Sequence, residues 1–230
     1  MGGIHLTKRE SINKIYRGVQ AKLTLPTYIS SDPVRGIKPE FIFGLYKGSY
    51  GIDIGVFYQD SAFKLVYWSL EYTTPNWNAT PSDRGGESNS IGVSVCDSIT
   101  LKAYLNGNKV TCEAKKTNGN KTTLNCPLSQ AAQSAFQTGV QINRELVIAA
   151  DPTPTANPAN VYFYDAYFSE GSFTKMDGST EKVSDSNTRI TREENDGNVD
   201  TTILKVHNCD WGIDANGYAY ERASCDFNHI

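Results

Sequence analysis

Glu40-Phe41-Ile42-Phe43-Gly44-Leu45-Tyr46-Lys47-Gly48-Ser49-Tyr50-Gly51-Ile52-Asp53-Ile54-Gly55-Val56-Phe57-Tyr58-Gln59-Asp60-Ser61-Ala62-Phe63-Lys64-Leu65-Val66-Tyr67-Trp68-Ser69-Leu70-Glu71-Tyr72 reads as three consecutive strands with almost nothing between them. β-Branched and aromatic residues fill it, and Gly48 and Asp60-Ser61 punctuate it. At its centre the alternation is strict: Ile52, Ile54, Val56 and Tyr58 face one way, and Gly51, Asp53, Gly55 and Phe57 face the other. One face is a core and the other is bare of bulk at Gly51 and Gly55.

Working outward, an alternating strand at Val19 to Leu25 is stopped by Pro26. Thr73 to Ser90 is a long loop rich in Pro, Asn, Asp, Ser and Gly, with Trp77 near its start. Strands resume at Ile91 to Cys96, Ile99 to Leu105, Val110 to Lys115, Thr122 to Cys126, Val140 to Ala150 and Val161 to Phe168. One short helix is marked by Leu128, Ala131, Ala132, Ala135 and Phe136, with Pro127 or Ser129 at its start and Gly139 past its end. The expected organisation is an N-terminal arm over 1–15, a sandwich over 16–180, and a linker with a compact hairpin annex over 181–230.

With 230 residues, 22 basic and 25 acidic side chains and a net charge of −3, the chain suits one large all-β domain and offers no electrostatic case for nucleic acid or anionic membrane. No apolar run approaches the roughly 20 residues that cross a bilayer. Thirteen Tyr and nine Phe beside two Met, with 19 Gly, suit a secreted or extracellular β-sandwich. Cys112 and Cys126 flank Asn118-Gly119, and Cys209 and Cys225 flank Asn216-Gly217. Asn-Gly hairpin turns would set each pair nearly opposite, so two local disulfides are expected, with Cys96 left over; the alternative is five reduced thiols. Asn78-Ala79-Thr80 and Asn120-Lys121-Thr122 are sequons.

Gly18-x-x-Ala-x-Leu-x-x-Pro26, the Phe-Ile-Phe-Gly-Leu strand, the Gly-Ile-Asp-Ile-Gly-Val-Phe-Tyr strand, the Tyr67-Trp68 strand, the Leu-x-x-Tyr-x-Asn-Gly hairpin at Leu101 to Gly107, and the late aromatic strand before Phe173-Thr174 resemble the concanavalin A-like lectin/glucanase jelly rolls. Within that superfamily the sequence looks closest to small secreted bacterial members of unassigned activity. The resemblance implies a jelly-roll sandwich of two antiparallel sheets over about residues 16 to 180. It also implies a Glu-x-Asp-x-Glu catalytic strand in the glycosidases, two carboxyls about 5 Å apart; here those positions are Gly51, Asp53 and Gly55, which argues against hydrolysis of sugars. Other relatives of this fold are glutamic peptidases, which use a Gln and Glu pair. Such a reading would draw on Gln59 or Gln20 with Glu71 or Glu145, and no motif supports it.

The three histidines, His5, His207 and His229, are far apart, so a zinc site or histidine-centred triad is not expected. Calcium is the most plausible ion, at Asp210, Asp214 and Asn216 or at Asp196 and Asp200, although ordinary turns explain these residues as well. The resulting expectation is a non-catalytic carbohydrate-binding or surface-recognition module. Asp53, Phe57 and Gln59 would form its floor and Tyr72, Trp77 and Asn78 its rim, against a glycan partner. Trp211, Tyr218 and Tyr220 offer a second surface. The rival is a structural subunit that self-assembles by lending its N-terminal arm to a neighbour's sheet edge; a hydrolase is the third reading.

Overall fold

The computed structural model describes residues 2–34, 36–71, 84–150, 161–191 and 205–226. Two antiparallel sheets pack face to face. The first has seven strands: β14 (Thr188–Thr191), β1 (Gly2–Ser11), β11 (Gln141–Ala150), β4 (Lys38–Lys47), β5 (Tyr50–Gln59), β6 (Ala62–Glu71) and β7 (Arg84–Ser90), in that spatial order. The second runs β10 (Lys121–Pro127), β9 (Lys109–Lys116), β8 (Ser98–Asn106), β2 (Tyr16–Thr24), β12 (Tyr162–Lys175), β16 (Ala219–Asp226) and β15 (Lys205–Ile213). Two short strands, β3 (Tyr28–Ser30) and β13 (Thr180–Lys182), pair with β12 and complete it.

Period-2 patterning builds the core. Phe41, Phe43 and Leu45 of β4, Ile52, Ile54 and Val56 of β5, and Ile142, Leu146 and Ile148 of β11 all point inward and are fully or nearly fully buried. They meet Val19, Ala21 and Leu23 of β2 and Phe163 and Phe168 of β12. Edge-on and stacked ring contacts, Phe41 on Phe163 at 5.3 Å and Phe43 on Phe168 at 5.5 Å, lock β4 to β12. The helix α1 (Gln130–Phe136) begins where Ser129 Oγ accepts the Ala132 N–H at 3.2 Å and ends before Gly139 at φ +93°. Its inward face inserts Phe136 into the core.

One polar cluster interrupts this apolar interior. Arg9 of β1 and Arg144 of β11 point inward from one sheet onto Glu221 of β16 in the other, and all three side chains are at most 2% exposed. Arg9 Nε donates to Glu221 Oε1, Arg144 Nε to Oε2, and Arg144 Nη2 to both Glu221 Oε1 at 2.8 Å and the Ala219 carbonyl at 2.9 Å. Arg9 Nη1 adds Thr188 Oγ1 at 2.7 Å and Asp185 Oδ1 at 2.9 Å. A Cβ on Gly171 would lie 2.4 Å from Arg144 Nη1, so only glycine leaves room for that guanidinium.

Three expectations are corrected here. Residues 2–11 do not form an arm available to a neighbour: they are the strand between β11 and β14 of their own sheet, which removes the basis for assembly by strand lending. The 205–226 hairpin is not a detached annex, because β16 pairs with β12 and continues the second sheet. No disulfide joins any of the five cysteines. Cys112 faces Leu124 and Cys126 faces Val110, while Cys209 faces Ala223 and Cys225 faces Val206. Each pair is therefore out of step across its hairpin, diagonal rather than opposite, at a spacing of about 7 Å that disulfide geometry rarely bridges. Burial pushes the Cys126 thiol up to about 12 and raises Cys112 and Cys225 as well, whereas Cys96 is exposed.

Two outcomes follow. In unreduced native protein, thiol-reactive reagent should label Cys96 first, and all five cysteines should react after denaturation without reductant; a denatured count of three or one would restore a bridge. Glu221→Gln should cost about 3–5 kcal/mol in urea unfolding, since it strands two buried guanidinium groups, whereas replacing Arg9, Arg144 and Glu221 together by Met, Met and Leu should cost much less. A loss under about 1 kcal/mol for Glu221→Gln would show that the cluster does not hold the sheets.

Candidate active site

Because Arg9 and Arg144 face the core, their chain neighbours face outward, and the outer side of the seven-stranded sheet collects the acidic residues. The register arranges it in rungs. One runs Glu10, Asn143, Gly44, Asp53, Trp68, Gly85; the next runs Lys8, Glu145, Ile42, Gly55, Val66, Glu87; a third runs Val147, Glu40, Phe57, Lys64. Although this is the outer face, its middle is shielded: Glu145 is 1%, Glu40 2% and Asn143 4% exposed, and Ile42, Val66 and Phe57 are buried beside them. Buried carboxyls away from the core are unusual and expensive unless something answers their charge.

Each carboxyl has a local answer. Lys8 Nζ lies 3.9 Å from Glu145 Oε1 and 3.7 Å from Glu10 Oε1, and Arg189 takes the other Glu10 oxygen at 2.9 Å. Lys38 Nζ lies 3.9 Å from Glu40 Oε1 and sits over the rings of Phe57 and Trp68 at 4.7 and 5.1 Å. Asp53 Oδ1 accepts the Tyr46 hydroxyl. Glycines make that last contact possible: a Cβ on Gly44 would be 2.3 Å, and one on Gly51 2.6 Å, from the Tyr46 ring, which therefore lies flat across both. Gly55 serves differently, since a Cβ there would fall 2.3 Å from the Phe41 carbonyl oxygen of β4. On the Asp53 rung, Trp68 Nε1 and Asn143 Oδ1 are buried without a hydrogen-bond partner among the described residues, one donor and one acceptor.

Of the residues singled out from sequence, Asp53 and Phe57 lie on this face, with Gln59 at the far end of β5. Tyr72, Trp77 and Asn78 lie outside the described residues, as do Asp196 and Asp200. The bare trough expected above Gly51 is filled by the Tyr46 ring. Gln20 belongs to β2 in the other sheet, and Glu71 pairs with Tyr50 at the opposite end of the β5–β6 hairpin from Gln59, so neither forms a pair with Gln59 or Glu145. Sequence reasoning named Glu145 but missed Glu40, Lys8, Lys38, Tyr46 and Asn143, for which only the cross-strand register gives a signal.

The second surface does not assemble. Trp211 stands opposite the inward-facing Glu221, whereas Tyr220 faces outward against Tyr167 at 5.8 Å, and Tyr218 lies under Lys182. Asp214 Oδ1 accepts the N–H groups of Asn216 and Tyr218 in an ordinary turn, and among the described residues no three His, Cys, Asp or Glu gather as metal ligands. A groove of about 410 Å³ does open on the outer side of the second sheet, lined by residues including Cys96, Asp165, Tyr220 and Arg222. Its polar groups are committed to one another, Arg222 to Asp165 at 2.8 Å and Tyr220 to Asp210 at 3.2 Å, so the carboxyl face is the stronger candidate.

No protein-family profile and no curated protein matches the sequence. Among solved structures the chain is similar to Scytalido-glutamic peptidase with a peptide-based transition state analog, at TM-score 0.54 and 16% identity, and to the same peptidase with a transition state analog inhibitor, at 0.56 and 16%. It is also similar to SCP-B, a member of the Eqolisin family of peptidases in a complex with the tripeptide Ala-Ile-His, at 0.52 and 17%. Each comparison covers 99% of this chain and 100% of the other, and at such identity what is shared is the β-sandwich fold. These end-to-end matches are to peptidases, and they overturn the expected non-catalytic carbohydrate module, its glycan partner and the judgement that the chain is not an enzyme.

The Tyr46 shelf can be tested alone. Gly44→Ala should lift the ring from Asp53 and cost about 1–3 kcal/mol in thermal unfolding, while Gly48→Ala, where nothing lies within 4 Å but φ is +59°, should cost no more than about 1 kcal/mol. Equal effects would mean that the ring does not need the space.

Proposed function

We propose that the protein is a carboxyl-dependent peptidase that lays an extended peptide across the outer face of the seven-stranded sheet and cleaves it between Asp53 and Glu145. The observation that carries this reading is the placement of two carboxyls on neighbouring rungs of one outer face, two strands apart, with Gly44 and the Tyr46 ring that crosses it on the β4 side of Asp53. Standard strand spacings put their Cα atoms about 12 Å apart. The end-to-end likeness to peptidases supports it. The Gln and Glu pair of glutamic peptidases is not reproduced: Gln59 lies beyond Phe57 on β5, and Gln141 is bonded to the Ser11 carbonyl. Asp53 takes the place of the second group.

In this reading Glu145 is the carboxylate and Asp53 the acid. Glu145 takes a proton from water as the water oxygen bonds to the scissile carbonyl carbon, and Asp53 gives its proton to the carbonyl oxygen. The protonated Glu145 then delivers its proton to the amide nitrogen, the C–N bond breaks, and a hydroxyl proton of the tetrahedral intermediate returns to Asp53. Tyr46 holds Oδ1 and so orients the Asp53 carboxyl. Trp68 Nε1 and Asn143 Oδ1 offer a donor and an acceptor to the peptide backbone on either side.

Cleavage of a mixture of synthetic peptides, followed by mass spectrometry between pH 3 and 8, tests this. Wild type should cut with a bell-shaped pH profile, and Glu145→Gln and Asp53→Asn should each lower kcat by about 10²–10⁴ while the fold persists. Absence of cleavage by wild type at every pH, or undiminished rates in both variants, would sink the assignment.

A further inference from the structure

We infer that Lys8 holds Glu145 as a carboxylate and so fixes which member of the pair accepts the proton. The inference rests on the peptidase reading for its consequence but on geometry for its substance. Lys8 stands directly opposite Glu145 in the β1–β11 ladder, and its ammonium is 3.9 Å from Oε1 of a side chain only 2% exposed. An ammonium at that range, in a shielded setting, favours the charged form of the carboxyl.

Two backbone constraints aim it there. The β1–β11 register slips by one residue between His5 and Thr7. Had the pairing of His5 with Val147 continued unbroken, Thr7 would face Glu145 and Lys8 would point into the core; the bulge inverts this. Thr7 is 1% exposed on the core side, and the next residue on that side, Arg9, is pinned to Glu221. A strand clamped at Arg9 cannot rotate Lys8 away. The bulge therefore selects lysine over threonine as the neighbour of the carboxyl.

Among the described residues, the other charges near Glu145 are engaged as follows. From β1, Glu10 is shared between Lys8 and Arg189; from β4, Glu40 is joined by Lys38; from β5, Asp53 is bonded to Tyr46; and along the rung lie Glu87 and, beside it, Lys64 at 3.5 Å. Arg144, next in sequence to Glu145, points into the core. Glu10 and Glu40 push toward protonation of Glu145, Asp53 as the protonated acid adds no charge, and Lys8 opposes them from 3.9 Å.

The test follows the Glu145 carboxyl itself by ¹³C NMR of glutamate-labelled full-length protein, with the resonance assigned through Glu145→Gln. Lys8→Met should raise the titration midpoint of Glu145 by about one pH unit or more, a tenfold change in its proton affinity, and Lys8→Arg should return it close to wild type. Lys8→Gln serves as a second neutral variant, with near-ultraviolet circular dichroism confirming the fold. The acid limb of kcat/KM should move upward in step. A midpoint unchanged in both neutral variants overturns the role of Lys8 whether or not peptides are cut; wild type that cuts no peptide while the midpoint still moves overturns the peptidase reading alone.

Discussion

Two arginines and a glutamate closed off from water between the sheets set the geometry of everything on the outer face. A buried ion cluster of this kind contributes little net stability, because desolvating three charges offsets most of their attraction, yet losing one member leaves the others uncompensated. Its value here is positional. Strand side chains alternate, so fixing Arg9 and Arg144 inward fixes Lys8, Glu10, Asn143 and Glu145 outward. A slip of one residue in β1 or β11 would drive a lysine or glutamate into the core and swing a guanidinium out. The core thus enforces the phase of the two strands that carry the carboxyl and its cation.

That phase makes a second economy intelligible. The outer face carries buried carboxyls, each answered by a neighbour one rung or one strand away, and three glycines clear the space they need. Gly44 and Gly51 exist for the Tyr46 ring, and through it for Asp53; Gly55 draws β5 against β4. Of the two glycines that suggest a bare floor, Gly51 is the imprint of an aromatic side chain lying across it and Gly55 that of the neighbouring β4 backbone.

Local features were legible in the sequence and long-range ones were not. The alternation of Ile52, Ile54 and Val56 against Asp53 and Phe57, the helix between Ser129 and Gly139, and the Asn-Gly turns at Gly107, Gly119 and Gly217 follow from period and turn chemistry, and the positive φ of those three glycines matches. The burial of Arg9, Arg144 and Glu221 carries no such signal, since charged residues in a polar stretch read as surface. Residues 2–11 read as an arm because their partners are more than 130 positions away. The cysteines misled for a related reason: midway glycines suggest direct opposition, but register is settled by which residues the turn consumes, and there it fell two positions off. Glu145 was visible as a candidate, but its companions came from β1, β4 and β5, which only pairing brings together.

The connection between Arg9 and Glu221 spans 212 positions, almost the whole chain. During synthesis at ordinary ribosomal rates, roughly 10–40 s separate the emergence of the first residue from that of the second. Until then β1 and β11 can pair, but neither arginine has the carboxylate that fixes its strand's phase. Contacts this distant also make folding slow and leave a sheet edge open while it proceeds. A protein arranged in this way closes its interior ion cluster only when β16 is made, at the expense of a long interval in which the growing chain is vulnerable to aggregation.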